Sequence, residues 1–396
     1  MARDDSAVDA IVVGGGPAGC ACALELLRRG RRVTVLERDE GAPARLCGEF
    51  LSPDGVALLA EWNALDAFAG APVIRRFEIA TASAALRRAL PGPALGVPRQ
   101  RLDPALRALV TARGGDVREG ARVSSVERHG DGFRVVAGDV ALRAPFVIGA
   151  VGRAARVTGL TDGPSHEPDR AAYVAMKAHF ACETAGDVVT LDPLGGAYVG
   201  TSAVGPRAVN VCFLARRDAF DAAGRCPERL LERTTNTAWL ARYARLERST
   251  PWVSVAAMSF RARRPAAGPH VLVGDSAALV SPFLGEGISM ALESGRLAAI
   301  ALHEAGRTEC AVEVAARYAA RWRRRFAGRL RLGQWVQRVL LSDRPVDHAV
   351  RVLAVVPGIV DGFVRGTRSR ELVQQASELL GASRHEGRTP GIGRRG

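Results

Sequence analysis

A chain of 396 residues is long for one core and suggests two joined domains with an appendage, and no apolar run approaches the ~18–20 uncharged residues needed to cross a bilayer. The net charge is +14, but Lys177 is the single lysine among 55 basic residues, and no aromatic-interleaved basic motif supports a nucleic-acid surface, so nucleic acid is excluded as a partner. Seven irregularly spaced cysteines fit reduced thiols and no zinc site, and the start Met-Ala-Arg-Asp-Asp lacks the apolar core of a secretory signal, so a cytoplasmic protein is expected.

Residues 8–37 read as strand, helix and strand. Ile11–Val13 is an apolar buried strand, followed by Gly14-Gly-Gly16-Pro-Ala18-Gly19 and a helix to about Arg29. Gly14 permits a tight turn, Gly16 lets backbone approach a pyrophosphate, and Gly19 lets the helix pack on the strand. The N–H groups around Ala18, at the positive end of the helix dipole, would face the phosphates. Glu37, with Arg38 beside it, ends the second strand 23 residues after Gly14, where a carboxylate accepts hydrogen bonds from a ribose. The pattern predicts a bound adenine dinucleotide.

Farther along, Pro98-Arg99 leads into a helix to about Arg113 with Leu102, Leu106 and Leu109 on one face, and Asp103 reads as a cap for a helix beginning at Pro104. Arg122–Glu127, Gly132–Val136 and Val140–Arg143 read as an antiparallel meander, and Phe146–Ala150 as a strand returning to the main sheet. Residues 165–262 alternate in the manner of a sheet, as in Tyr173–Phe180 and Ala208–Leu214. Ile288–Leu302 is helical, and Cys310–Leu380 is helical with breaks at Pro345 and Pro357. Gly381–Gly396 reads as a disordered tail. After Ala311 the net charge is +10, which reads either as a solvated helix face or as a surface for anionic lipid or an acidic partner.

His270-Val-Leu-Val-Gly274-Asp275, followed by Pro282 and Gly285-Glu286-Gly287-Ile288, completes a set of ordered motifs. With the N-terminal glycines and Glu37, it resembles the FAD-dependent oxidoreductases that include aromatic hydroxylases and geranylgeranyl reductases. The resemblance covers most of residues 8–300 and implies FAD, with Asp275 on the ribityl chain or its phosphate side and Gly285, Gly287 and Ile288 along the flavin. It also implies a flavin contact for Arg99. Arg45-Leu-Cys47-Gly48-Glu49 resembles the reductases' Cys-Gly element near the flavin ring. It makes Cys47 and Glu49 candidate proton donors and Arg45 a candidate stabiliser of negative charge on the reduced ring, with Cys47 as a small buried apolar residue the alternative. Val151 stands where the hydroxylases have aspartate. Ala278 and the Gly285–Ile288 loop lie nearer the geranylgeranyl reductase version than the hydroxylase one. A tryptophan-type halogenase is excluded, because its early lysine and Trp-x-Trp-x-x-Pro segment are missing.

The fold expected is α/β, with a Rossmann-like FAD-binding domain of the glutathione reductase/hydroxylase type. It would be assembled from 1–75, 98–160 and 265–309, with an inserted mixed β-sheet substrate domain of 76–97 and 161–264. A C-terminal helical region (310–380) and a disordered tail (381–396) follow. The leading function is reduction of a C=C bond in a lipophilic, polyprenyl or polyketide-like substrate. Since no second strand–glycine–helix unit is present, NAD(P)H would visit transiently or an electron-donor protein would supply electrons. The alternatives are hydroxylation of an aromatic or polyketide-type substrate and a non-catalytic electron relay. Location is expected to be cytoplasmic or peripheral at a membrane, and no metal is expected.

Overall fold

The computed structural model describes residues 8–153, 156–161, 173–234, 236–258, 260, 264–305, 309–341 and 346–355. In chain order, β1 (Ala10–Val13), α1 (Pro17–Arg28) and β2 (Val33–Leu36) come first, then β3 (Phe50–Leu51), α2 (Pro53–Glu61), β4 (Val73–Ala80) and β5 (Ala85–Gly96). Next are α3 (Arg99–Ala112), β6 (Asp116–Arg118), the meander β7 (Val123–His129), β8 (Gly132–Ala137) and β9 (Val140–Ala144), and β10 (Phe146–Gly149). The second half holds β11 (Tyr173–Ala181), β12 (Val188–Pro193), β13 (Ala197–Gly205), β14 (Ala208–Arg216), α4 (Arg217–Ala222), α5 (Pro227–Glu232) and α6 (Thr237–Tyr243). It ends with β15 (Glu247–Arg248), β16 (Val253–Met258), β17 (Ala266–Ala267), β18 (His270–Leu272), α7 (Gly287–His303), α8 (Ala311–Leu340) and α9 (Val346–Val355).

Two large sheets divide the chemistry. The first has the order β17-β18-β10-β1-β2-β6, and β1 runs parallel to both β10 (Ala10↔Phe146) and β2 (Ala10↔Val33). All four β1 residues are buried, as expected for a parallel strand covered on both faces. Gly14 has φ +112°, and a Cβ there would lie 2.3 Å from the Ala150 carbonyl oxygen, so only glycine makes this turn. A Cβ at Gly19 would lie 1.9 Å from the Gly14 oxygen, which is why α1 packs so closely on the strand it follows. On its other side α1 meets α7, where a Cβ on Gly295 would come within 2.2 Å of the Ala18 oxygen.

The second sheet has nine strands, with β15-β11-β14-β13-β12-β4-β5-β3 in order and β16 on β11. It is mixed, since β12 pairs parallel to β4 while β11, β14, β13 and β12 form an antiparallel series. Residues 165–262 are therefore not a simple run of strands. Three short helices, α4 to α6, cover the back of the sheet, where Trp239, Leu231, Val199 and Phe213 form a separate buried cluster. Periodicity reading missed these helices because each has only six or seven residues, fewer than two turns of pattern.

The helix after Pro98 starts at Arg99, not at Pro104, which lies within it. Asp103 is consequently no cap; both its oxygens hold the Arg99 guanidinium, at 2.7 and 2.8 Å. At the C-terminal end, Tyr318, Trp322, Phe326 and Leu330 recur every fourth residue on α8 and are buried in the first domain's core. Tyr318 Oη donates to the Leu272 carbonyl at 2.9 Å, tying α8 to β18. Burying three such aromatic side chains contributes roughly 2–3 kcal/mol each, so α8 is part of this core and not a loose appendage. The breaks expected at Pro345 and Pro357, and the tail from Gly381, lie outside the described residues.

Candidate functional site

The two sheets enclose a cavity of about 520 Å³. One end is lined by the start of α1 (Gly16, Pro17, Ala18), by Gly152, by Gly274-Asp275 and by the loop entering α7 (Gly285, Gly287, Ile288). The other is an apolar arm of Phe77, Ile79, Leu86, Val189, Leu191 and Leu340. The sheet register explains the arm. Leu191 opposes Gly200 and Ile79 across β12, and Tyr198, Gly200 and Ser202 alternate along β13 on the same face. Trp335 also lines the cavity and is 59% exposed, so the arm reaches the surface beside α8.

Several features at the first end fit an extended dinucleotide. A Cβ on Gly16 would meet only Arg99 Nη2, at 3.8 Å, so space beside this backbone is open. Gly16 is the N-cap of α1 without a side-chain cap, leaving the N–H groups of Ala18 and Gly19 for an anion. The Glu37 carboxylate accepts from Gly15 N at 2.7 Å through Oε2 and from Asp39 N at 3.1 Å through Oε1, holding the turn from below. Arg107, which the sequence reading passed over, is buried beneath the same turn and donates to the carbonyls of Gly41 (2.6 Å) and Gly15 (3.4 Å). Gly285 has φ +61°, which turns the chain into α7. Gly152 N donates to Ser276 Oγ at 2.9 Å, joining the loop after β10 to the Gly-Asp turn.

Cys47, Gly48 and Glu49 lie on the cavity wall, with Arg99 beside them. The Glu49 N–H donates to Cys47 Sγ at 3.3 Å, and Asn210 Nδ2 donates to the Cys47 carbonyl at 3.1 Å. Burial pushes the Cys47 thiol above its ordinary value, only partly offset by Arg99, so the sulfur keeps its proton at neutral pH. Glu49 behaves in the opposite way. Burial works to raise its pKa, but the His179 hydrogen bond and the Lys177 ammonium outweigh it and hold the carboxyl below the ordinary range. Glu49 is thus an anion at neutral pH and does not carry a proton of its own to donate. Its backbone sits at φ +55°, a left-handed conformation that costs a glutamate about 1 kcal/mol or more and persists because the side chain is held on both oxygens.

Arg45 is placed elsewhere. Its guanidinium pairs with Asp39 and lies 4.0 Å from Glu37, so it sits at the Glu37 end and not beside Cys47 and Glu49. Two neighbouring carboxylates attract it more strongly than an apolar wall can. Arg38 is exposed and reaches Asp39 at 3.3 Å. Arg99 is half-buried with its charge matched by Asp103; the pair outweighs desolvation and raises its pKa.

The residues that sequence reading missed are Lys177 and His179. Both share the β11 face of Ala175, a cavity-lining residue, and each is bonded to a different Glu49 oxygen. Period-two alternation places 177 and 179 on one face, and a lone lysine among arginines was the visible signal.

Comparison with known proteins agrees with this geometry. The chain is 30% identical over 338 residues to a menaquinone reductase of Mycolicibacterium smegmatis, an alignment covering 76% of this chain and 78% of that one. It is 36% identical over 186 residues to the 6-methylpretetramide 4-monooxygenase of Streptomyces rimosus, covering 41% and 42%. Its match to squalene epoxidase 5 of Arabidopsis thaliana spans only 13% of that protein's length. In structure it is similar to a geranylgeranyl bacteriochlorophyll reductase-like protein of Thermoplasma acidophilum, with a TM-score of 0.70 at 20% identity, covering 96% of this chain and 98% of that one. Residues 7–331 match the family described as FAD binding domain, and the chain belongs to that family.

Proposed function

We propose that the enzyme reduces a C=C bond of a lipophilic substrate, of polyprenyl or polyketide-like class, with electrons from transiently bound NAD(P)H or a donor protein. The observation that carries this reading is a long apolar arm leading to a half-buried, proton-holding thiol at Cys47 on the cavity wall. The menaquinone reductase aligned over three quarters of the chain supports it. In this reading Gly14, Gly16, Ala18 and Gly19 shape and donate to the pyrophosphate site, Glu37 takes the ribose, and Asp275 with Gly285, Gly287 and Ile288 holds the ribityl and ring end. Reduced FAD, when bound, supplies the hydride. The protein's own residues hold the substrate, exclude water from the arm and keep a proton at Cys47 Sγ. Ser202 Oγ is buried on the same wall, with no hydrogen-bond partner among the described residues, and would take a polar group at the substrate's reacting end.

A second reading, monooxygenation of a polyketide-type substrate, is favoured by the likeness to the 6-methylpretetramide 4-monooxygenase. Oxygen decides between them. The reductase should convert a polyprenyl quinone under argon with a chemical reductant. An absolute requirement for oxygen, with one labelled oxygen atom in the product, would establish the monooxygenase instead.

Trp335 at the outer end of the arm is flanked on α8 by Arg331 and Arg338, both exposed. We propose that this end faces an anionic membrane surface from which the substrate enters. Among the described residues no helix is long and apolar enough to span a membrane.

A further inference from the structure

Two glycines of the second sheet have different reasons to be there. Gly96 ends β5, and a Cβ on it would lie 1.6 Å from the Ala203 carbonyl oxygen, so packing alone demands it. Gly200 lies in the middle of β13 with ordinary extended backbone. A Cβ there would meet Cys212 Sγ at 3.4 Å, Leu191 Cδ2 at 3.5 Å and the Thr190 oxygen at 3.6 Å, all ordinary contacts. Neither conformation nor packing within the protein requires a glycine, and a glycine inside a strand weakens the sheet. The reason left is close approach of a ligand to bare backbone, and Gly200 lines the cavity.

The neighbours of Gly200 define what approaches. Cross-strand register sets Cys212 and Leu191 on either side of it, about 10 Å apart at two strand spacings. Beyond Leu191 the same row continues through Ile79 into the apolar arm. Along β13, Tyr198 and Ser202 stand two residues away on the same face, roughly 13 Å from each other. Tyr198 packs on Phe283 with ring centroids 3.8 Å apart and closes one end with an aromatic wall. Ser202 closes the other end with a hydroxyl that is buried and has no hydrogen-bond partner among the described residues. Its cross-strand neighbour Asn210 spends its amide N–H on the Cys47 carbonyl. The floor is therefore flat and bare at its centre, polar at one end and continuous with an apolar row at one side.

We propose that Gly200 is a specificity-determining residue: it admits a planar, oxygen-bearing ring, the head of the substrate, flat against β13. A ring oxygen meets Ser202 Oγ, and the apolar tail runs over Leu191 and Ile79 into the arm. The inference rests on the lipophilic-substrate reading above and narrows it to a ring with a tail. An acyclic chain needs no flat floor and would pack better on a side chain at position 200. A pure hydrocarbon would also leave the buried Ser202 hydroxyl without a partner, which costs binding energy.

The test is ligand binding to the FAD-loaded protein by equilibrium dialysis. The probes are a dimethylated naphthoquinone, whose methyl groups block thiol addition, dimethylnaphthalene, which is the same ring without oxygen, and farnesol, an acyclic chain. Gly200→Ala should bind the quinone about tenfold more weakly or worse and change farnesol binding by less than about twofold. It should also keep its flavin and unfold at a temperature no lower than wild type, since the added methyl makes only ordinary contacts. Ser202→Ala should weaken the quinone about fivefold and leave dimethylnaphthalene unchanged. Equal effects of Gly200→Ala on quinone and farnesol, or no effect on either, would overturn the ring subsite, as would a wild type that takes up no naphthoquinone. Loss of FAD from Gly200→Ala would give the bare floor to the flavin, and a lowered unfolding temperature would give it to packing; either overturns the proposal. Because no turnover is measured, a wild type that binds the quinone but does not reduce it under argon loses the reductase reading while the ring subsite stands.

Discussion

At the level of single residues, two positions carry most of the consequence. Glu49 is a buried anion facing a buried ammonium, and removing one partner of such a pair leaves the other uncompensated. Glu49→Gln should therefore destabilise the fold by about 3–5 kcal/mol at neutral pH, measured by denaturant unfolding. The pH dependence follows from the sign of the shift. Because the folded-state pKa lies below the ordinary 4.5, the stabilisation is fully present above that value and is lost as pH falls through the lower folded one. Glu49→Gln should flatten that acid limb, and equal acid limbs in both proteins would contradict the assignment. Gly16 offers the complementary case. Its neighbourhood is open rather than crowded, so Gly16→Val should fold and yet lose FAD, falling from about one flavin per chain to almost none by absorbance. Retention of the yellow colour would show that the pyrophosphate lies elsewhere.

Among the elements, the crossing of α1 and α7 and the apolar arm have different tolerances. The α1–α7 approach is set by backbone: a Cβ on Gly295 meets the Ala18 oxygen at 2.2 Å, and neither helix can yield without shifting on the parallel sheet. Gly295→Val should cost at least about 2 kcal/mol despite a better helix propensity, read as a lowered denaturation midpoint. The arm between β4, β12 and α8 is lined by exchangeable apolar side chains. Ile79→Trp should narrow it and raise KM for a long-tailed substrate about tenfold, equivalent to about 1.4 kcal/mol, while a short-tailed analogue is turned over unchanged. An equal loss with both substrates would mean that the tail does not lie in this arm.

Taken whole, the molecule joins a dinucleotide fold to a lipophilic cavity whose outer end carries Trp335 and exposed arginines. Flotation with anionic liposomes should carry the protein upward at low salt and release it as ionic strength rises, since each arginine contributes about 1 kcal/mol that salt screens. Protein that stays at the bottom at low salt would leave the +10 after Ala311 as surface charge alone. The dinucleotide half was legible from sequence because its chemistry is local: Gly14, Gly16 and Gly19 act through backbone within one strand–turn–helix, and Glu37 lies one strand away with its carboxylate on Gly15 N. The Gly274-Asp275 turn was legible for the same reason. What only the tertiary structure decided is the environment of Glu49. Its partners stand 128 and 130 residues downstream on a strand of the other sheet. No local pattern relates residue 49 to residues 177 and 179, and a carboxyl's protonation state depends on the charges that packing brings to it, so a sequence-derived proton donor becomes an anion within a buried charge cluster. Arg45 was misplaced for a related reason: nearness in sequence to Cys47 says nothing about which way a long side chain turns, and Asp39 and Glu37 turned it toward the other end of the site.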